Sequence, residues 1–149
     1  MHAGDIDLLA ATRSDVDRFA EALGDFECLV APQWMSASKQ YFARFLVEGA
    51  EVEVSTVESP DTGPSECTGA GPWERFDMTP LGDYIVPTVA MELRLVSELV
   101  RDRPDRIRPL IVFLRERGYD SDLLERSMEH RAVAEEIRRS VRAELALRG

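Results

Sequence analysis

The spacing of hydrophobic and polar positions changes character along this chain, from strand-like runs in the first half to helical stripes in the second. Asp5-Ile6-Asp7-Leu8-Leu9-Ala10-Ala11 is a short apolar run headed by two acids, and it predicts a buried strand. Ser14-Asp15-Val16-Asp17 then supplies a capping serine with an acid three residues later. Val16, Phe19, Ala20 and Leu23 follow at helical spacing, and Gly24 stops the predicted helix. Glu27 to Ala31 is a second apolar run, closed by Pro32. The order strand, helix, strand predicts a parallel pair with a right-handed crossover. Tyr41 to Val47 and Ala50 to Val57 flank the dipeptide Glu48-Gly49 and read as a β-hairpin. In its second strand Val52 and Val54 share one face, while Glu51, Glu53 and Ser55 share the other.

Residues 59 to 72 are rich in Gly, Pro and small polar residues, which predicts a flexible loop or lid. Trp73 to Met78 and Tyr84 to Val86 predict short strands around a Thr79-Pro80-Leu81-Gly82 turn. Beyond Pro87 the period becomes helical. Thr88 is positioned to cap a helix carrying Val89, Leu93, Val96, Leu99 and Val100, which Arg103-Pro104 breaks. A second helix from Asp105 to Arg117 places Ile107, Leu110, Ile111 and Leu114 on one stripe, with Arg115 and Arg117 in the last turn where cations suit the helix dipole. A third starts at Ser121 or Asp122 with Leu123, Leu124 and Met128. The tail from Arg131 carries Val133, Ile137, Val141 and Leu145 at spacings of four. The predicted fold class is α/β (α+β): a small mixed sheet over residues 1–87, followed by a helical cluster over 88–149 packed on it as one unit.

Composition narrows the possibilities. A chain of 149 residues with 44% hydrophobic content is long enough for one domain with a real core. No run approaches the length of a membrane span, and the N-terminal stretch lacks the pattern of a signal peptide, so the expected location is cytoplasmic. Cys28 and Cys67 fall in a predicted strand and a glycine-rich loop, which indicates neither a disulfide framework nor a cysteine zinc site. The formal net charge is -10, and Lys39 is the only lysine. That balance argues against a broad nucleic-acid surface or an anionic membrane as partner. It suits either a protein of a high-salt cytoplasm or one shaped by GC-biased coding.

The chemistry on offer is carboxylate chemistry. Asp5 and Asp7 at i and i+2 of a strand project from one face, roughly 6.5 to 7 Å apart along the chain. Such a pair at a solvent-facing strand end suits hard cations, and magnesium in particular, because magnesium takes oxygen ligands and keeps positions for phosphate and water. Acid-x-acid also recurs as Asp15/Asp17, Asp25/Glu27, Glu51/Glu53 and Asp120/Asp122, as expected of a chain in which 28 residues are acidic, so the surroundings must distinguish one pair from another. Met78, Met91 and Met128 read as core filler, Trp34 and Trp73 as covers for the core, and His130 as a surface residue. Cys67 has no basic neighbour in sequence that would activate it.

Taken in order, these features resemble the nucleotidyltransferase superfamily of DNA polymerase β type, in particular its small bacterial and archaeal members. Gly4-Asp5-Ile6-Asp7-Leu8-Leu9 is similar to that family's Asp-x-Asp strand, and Val52-Glu53-Val54 to the strand of its third carboxylate. Ile85-Val86-Pro87 through Met91-Glu92-Leu93, and Arg101-Asp102-Arg103-Pro104-Asp105-Arg106, are similar to the helix after the sheet and its arginine- and aspartate-bearing turn. Phe113-Leu114-Arg115-Glu116-Arg117-Gly118 resembles a helix that follows in related chains. The resemblance implies that Asp5, Asp7 and Glu53 hold magnesium with a nucleoside triphosphate, and that an acceptor hydroxyl attacks the α-phosphate in line with departure of pyrophosphate. Glu51 is the alternative third acid. Lys39, Arg44 or an arginine between 101 and 108 would contact phosphates.

The chain departs from the family pattern at its start. A Gly-Ser turn and helix, whose amides and hydroxyl hold phosphates, normally stand about ten residues before the Asp-x-Asp strand, and here only Met1-His2-Ala3 precede Gly4. Two expectations follow: a start upstream of Met1, or a shortened member that has lost triphosphate binding and whose open sheet edge favours a homodimer. Function then divides between a nucleotidyltransferase and an inactive relative acting as a binding, regulatory or antitoxin-like partner.

Overall fold

A computed structural model describes residues 5–56 and 76–147 of the protein. The architecture is mixed α+β, with strands concentrated in the first half and four of five described helices in the second. The chain divides into two compact units, residues 1–63 and 64–149. The expected lid at 59–72, with Cys67 and Trp73, lies outside the described residues.

In the first unit, strand β1 (Asp5–Ala10) leads through helix α1 (Arg13–Ala22) to β2 (Glu27–Met35), β3 (Gln40–Val47) and β4 (Ala50–Thr56). The four strands lie in the order β1-β4-β3-β2. β3 and β4 form the expected hairpin, with Val47 opposite Ala50. The intervening Glu48 and Gly49 both have positive φ, 50° and 85°, which is the twist a two-residue hairpin loop requires. The expected parallel pair is corrected. β1 lies beside β4, to which it is parallel, and β2 forms the opposite edge, paired only with β3 among the described residues. Local order favoured neighbours β1 and β2, but the tight hairpin inserts β3 and β4 between them.

Two further expectations change for physical reasons. β2 continues through Pro32 to Met35, because an edge strand tolerates a residue without an amide proton, and its pairing shifts register on both sides of Val30. The cap of α1 is Thr12 and not Ser14. Asp15 N–H donates to Thr12 Oγ1 at 3.2 Å while Thr12 N–H donates to Asp15 Oδ2 at 3.0 Å, a reciprocal box that satisfies two amides. α1 ends at Ala22, just before the expected Gly24 stop. Its Val16 is fully buried against Ala10, Ala43, Phe45 and Val54, with Leu8, Ala20, Leu23 and Val47 around them. One sheet face is therefore core. β1 is exposed at its acidic start, over Asp5, Ile6 and Asp7, and becomes buried only toward Ala10.

The described part of the second unit opens with a hairpin, β5 (Phe76–Leu81) and β6 (Tyr84–Val89), whose strands each run three residues past their expected ends at Met78 and Val86, so that the turn falls at Gly82-Asp83 and not over Thr79 to Gly82. Val89 belongs to β6. Thr88 accordingly caps nothing, its hydroxyl bonding across the hairpin to Thr79 at 2.7 Å, and helix α2 spans Met91–Val100. Helices α3 (Pro104–Arg117), α4 (Ser121–His130) and α5 (Glu135–Ala146) follow. Pro104 stands in the first turn of α3, where its missing amide proton costs nothing. Asp120 caps α4 by accepting from Leu123 N–H at 2.9 Å, and its own N–H donates to the buried Glu92 at 2.8 Å, tying α2 to the start of α4.

Leu95, Val96, Ile111, Leu114, Leu124, Met128, Val141 and Leu145 make a single core shared by α2 to α5. The α4–α5 edge is fastened by Glu125, which accepts from Arg142 Nε at 2.6 Å and Nη2 at 2.8 Å and from Arg138 at 3.4 Å. The Arg142 guanidinium, by hydrogen bonding, holds the Glu125 carboxyl below its ordinary value of 4.5. None of the described helices is long and apolar enough to cross a membrane.

Leu124, only 2% exposed, should lose about 2–5 kcal/mol of unfolding free energy on replacement by alanine, as measured by denaturant titration. A lowered folded-state pKa stabilises above the unfolded value and ceases to as pH falls through the folded one. Glu125→Gln should therefore lower the melting temperature at pH 6 to 8, with the gap from wild type closing progressively below pH 4.5; an equal gap at all pH would remove the ion pair from the account.

Candidate functional site

The sheet face opposite α1 carries the charge. Parallel pairing sets Asp5 opposite Glu51 and Asp7 opposite Glu53, and the antiparallel β3–β4 register brings Arg44 opposite Glu53. Residues paired across a ladder share a face, so Asp5, Asp7, Glu51 and Glu53 form two rows of carboxylates with Arg44 in the third row. The alternation that puts Val52 and Val54 in the core puts Glu51 and Glu53 here. Asp5, Asp7, Glu53 and Arg44, picked out in the sequence, thus meet on one surface, together with Glu51.

Arg44 is the charge balance of this surface. Its Nη2 lies 2.8 Å from Glu53 Oε1 and its Nη1 lies 3.4 Å from Glu51 Oε2. Its guanidinium carbon stands 5.5 Å from the centroid of the Phe42 ring, two residues away on the same face. Its Nε is buried without a hydrogen-bond partner. The Glu53 carboxyl is pushed above its ordinary value, first by partial burial and then by the negative charges of Asp7, Glu51 and Asp5, against the opposing pull of Arg44.

Lys39 is not part of this cluster. It stands in the turn before β3 with φ of 51°, and four residues of strand, Gln40 to Ala43, separate it from Arg44, which lies about 16 Å further along the backbone. Near that end, on the α1 side, Arg13 stacks 4.8 Å from the Trp34 ring centroid and 5.7 Å from that of Tyr41, whose hydroxyl donates to Asp17 at 3.0 Å. Trp34 is 41% exposed, so it makes a cation–π contact at the sheet end in place of the core cover expected of it. Cys28 is exposed on β2.

The donor set fits a hard divalent cation in kind, being carboxylate oxygen throughout. As the side chains stand, no three His, Cys, Asp or Glu among the described residues converge on a point where one ion would touch them all, and Arg44 holds Glu51 and Glu53 instead. Compared with known proteins, the sequence matches no family model and no curated protein. The functional reading therefore rests on this geometry and on the resemblance of the motifs.

What sequence reasoning missed is the direct ion pairing of Arg44 with both β4 acids. The hairpin register carried the signal, since counting back from Glu48-Gly49 places Arg44 across from Glu53. Asp7→Asn should lower the Glu53 pKa and Arg44→Gln should raise it, both read by carboxyl-detected NMR titration; a Glu53 titration indifferent to Asp7→Asn would show that the two rows do not face each other.

Proposed function

We propose that this protein is a nucleotidyltransferase-like enzyme that moves a nucleoside monophosphate from a triphosphate to an acceptor hydroxyl. The observation that carries the reading is the parallel β1–β4 register, which sets the Asp5/Asp7 pair beside Glu53. Asp5, Asp7 and Glu53 would hold magnesium, which when bound supplies positive charge to offset that of the triphosphate and of the departing pyrophosphate. Arg44 lies on the same face as a guanidinium donor for a phosphate oxygen. The exposed positions of Asp5 and Asp7 leave their oxygens open to solvent and so to a ligand. A cytoplasmic setting, where nucleoside triphosphates are abundant, is part of the same proposal.

A second reading has its own observation. Arg44 offsets the charge of Glu51 and Glu53, as it would in a protein that keeps the fold without turnover and acts as a binding, regulatory or antitoxin-like partner or as a homodimer. The two readings separate in one experiment. Calorimetric titration with magnesium and each nucleoside triphosphate, at low and high salt, should show magnesium-dependent binding that disappears in the Asp5→Ala/Asp7→Ala variant. No binding at either salt concentration would leave the partner reading.

A further inference from the structure

We propose that the groove between α3 and α5 is the face through which two copies of this chain associate about a two-fold axis, the acidic wall of each groove meeting the basic wall of the other. The inference uses only the second unit and stands apart from the reading of Asp5, Asp7 and Glu53.

Leu99, Ile107, Ile111, Ile137 and Val141 line a groove of about 340 Å³. Its apolar floor follows the axes of two helices, the form that a further helix fills, and Ile137 is 41% exposed, so that floor meets water. One wall is acidic. Glu136, Ser140 and Glu144 stand at spacings of four on α5 and line the groove together. Ile111 lines it and Leu110 does not, so the groove opens on the side of α3 where Arg108 and Arg115 stand beside the Ile107–Ile111 stripe. Among the described residues none of these four charged side chains has an ion pair, whereas Glu135 of the same helix α5 is held by Arg138 and Arg142.

An occupant must offer apolar side chains to the floor, cations to α5 and anions to α3. A second copy offers all three. In a two-fold pair the same surface serves both partners, so α3 of one copy lies along α5 of the other. Arg108 and Arg115 are roughly 10.5 Å apart along their helix and Glu136 and Glu144 roughly 12 Å along theirs, close enough for both pairs to form at once. Pairing α5 with α5 would instead set Glu136 against Glu144. The net charge of -10 is no obstacle on this face, because residues 64–149 hold 16 acids and 14 arginines and most of the excess belongs to residues 1–63.

The experiment is sedimentation velocity of the full chain over a range of concentrations at low salt. Wild type is compared with Glu136→Arg/Glu144→Arg, with Arg108→Glu/Arg115→Glu and with an equimolar mixture of the two variants, circular dichroism serving as the check on folding. Wild type should dimerise. Each variant alone should have its dissociation constant raised about tenfold or more, since like charges then line both walls. The mixture should recover the wild-type dimer, because one variant then offers only cations where the other offers only acids. Arg108→Glu alone carries the comparison if its double variant does not fold. A wild type that stays monomeric at every concentration would overturn the proposal. Dimers that neither reversal weakens would overturn it as well, by placing the interface on another face, and so would two folded variants whose mixture stays monomeric.

Discussion

The constraint on which the sheet face depends is like-charge repulsion across a parallel ladder. Once β1 lies beside β4 in this register, Asp5 must face Glu51 and Asp7 must face Glu53, and a shift of β1 by one residue would instead turn Leu8 and Ala10 out of the core. The hydrophobic register and the electrostatic cost are thus one choice. The core wins because Val54 is fully buried and Ala10 nearly so, while the acids keep access to water and to Arg44. The Glu53 pKa is raised chiefly by partial burial, and the neighbouring acids add to that against the pull of Arg44.

The strands and helices were legible where a single period governed the residues. Alternation in β4, the two-residue turn at Glu48-Gly49 and the apolar stripes of α3 and α5 each reflect one local rule. What could not be read locally was adjacency: that β1 pairs with β4 depends on where a distant hairpin docks. Helix ends were obscured in another way. α2 closes with Arg103 N–H donating to Glu98 C=O at 3.1 Å and Asp102 N–H to Leu99 C=O at 3.2 Å, and Asp102 has the positive φ of 51° usual for glycine at that point. α4 closes likewise through Val133 and Ala132, the latter at φ 50°. Neither end carries a glycine: after α2 the sequence offered only Arg103-Pro104 as a stop, and after α4 it offered none.

The candidate site was legible as a set of residue types and only in part as a geometry. Asp5 and Asp7 were visible as a pair, and Glu53 as an acid on a later strand, because period two fixes the face of each. Their meeting required the β1–β4 register, a non-local fact. Lys39 entered the reading as the only lysine, a compositional argument, and the length of β3 separates it from the acids. Arg44 was a phosphate contact by type, whereas the hairpin makes it first an ion-pair partner. A residue's chemistry and its present use are separate properties, and only the second needs the fold.

The two units use the same acid–arginine chemistry to opposite ends. On the α4–α5 edge Glu125 receives two nitrogens of Arg142 and one of Arg138, so its charge is well offset and its pKa falls. In α2 the fully buried Glu98 has Arg94 at 2.9 Å, with Arg101 and Arg103 just beyond, and burying such an acid without cations around it would be very costly. Around Glu98 three arginines face one acid, and on the α4–α5 edge Arg138 and Arg142 face Glu125, Glu129 and Glu135. On the sheet face one arginine stands beside four carboxylates. Such an excess of negative charge does not favour folding by itself, and Glu53 has its pKa raised where Glu125 has it lowered. A surface that keeps four carboxylates in register beside one arginine does not hold the sheet together by those charges, and this contrast within one chain is what separates the β1–β4 face from its structural ion pairs.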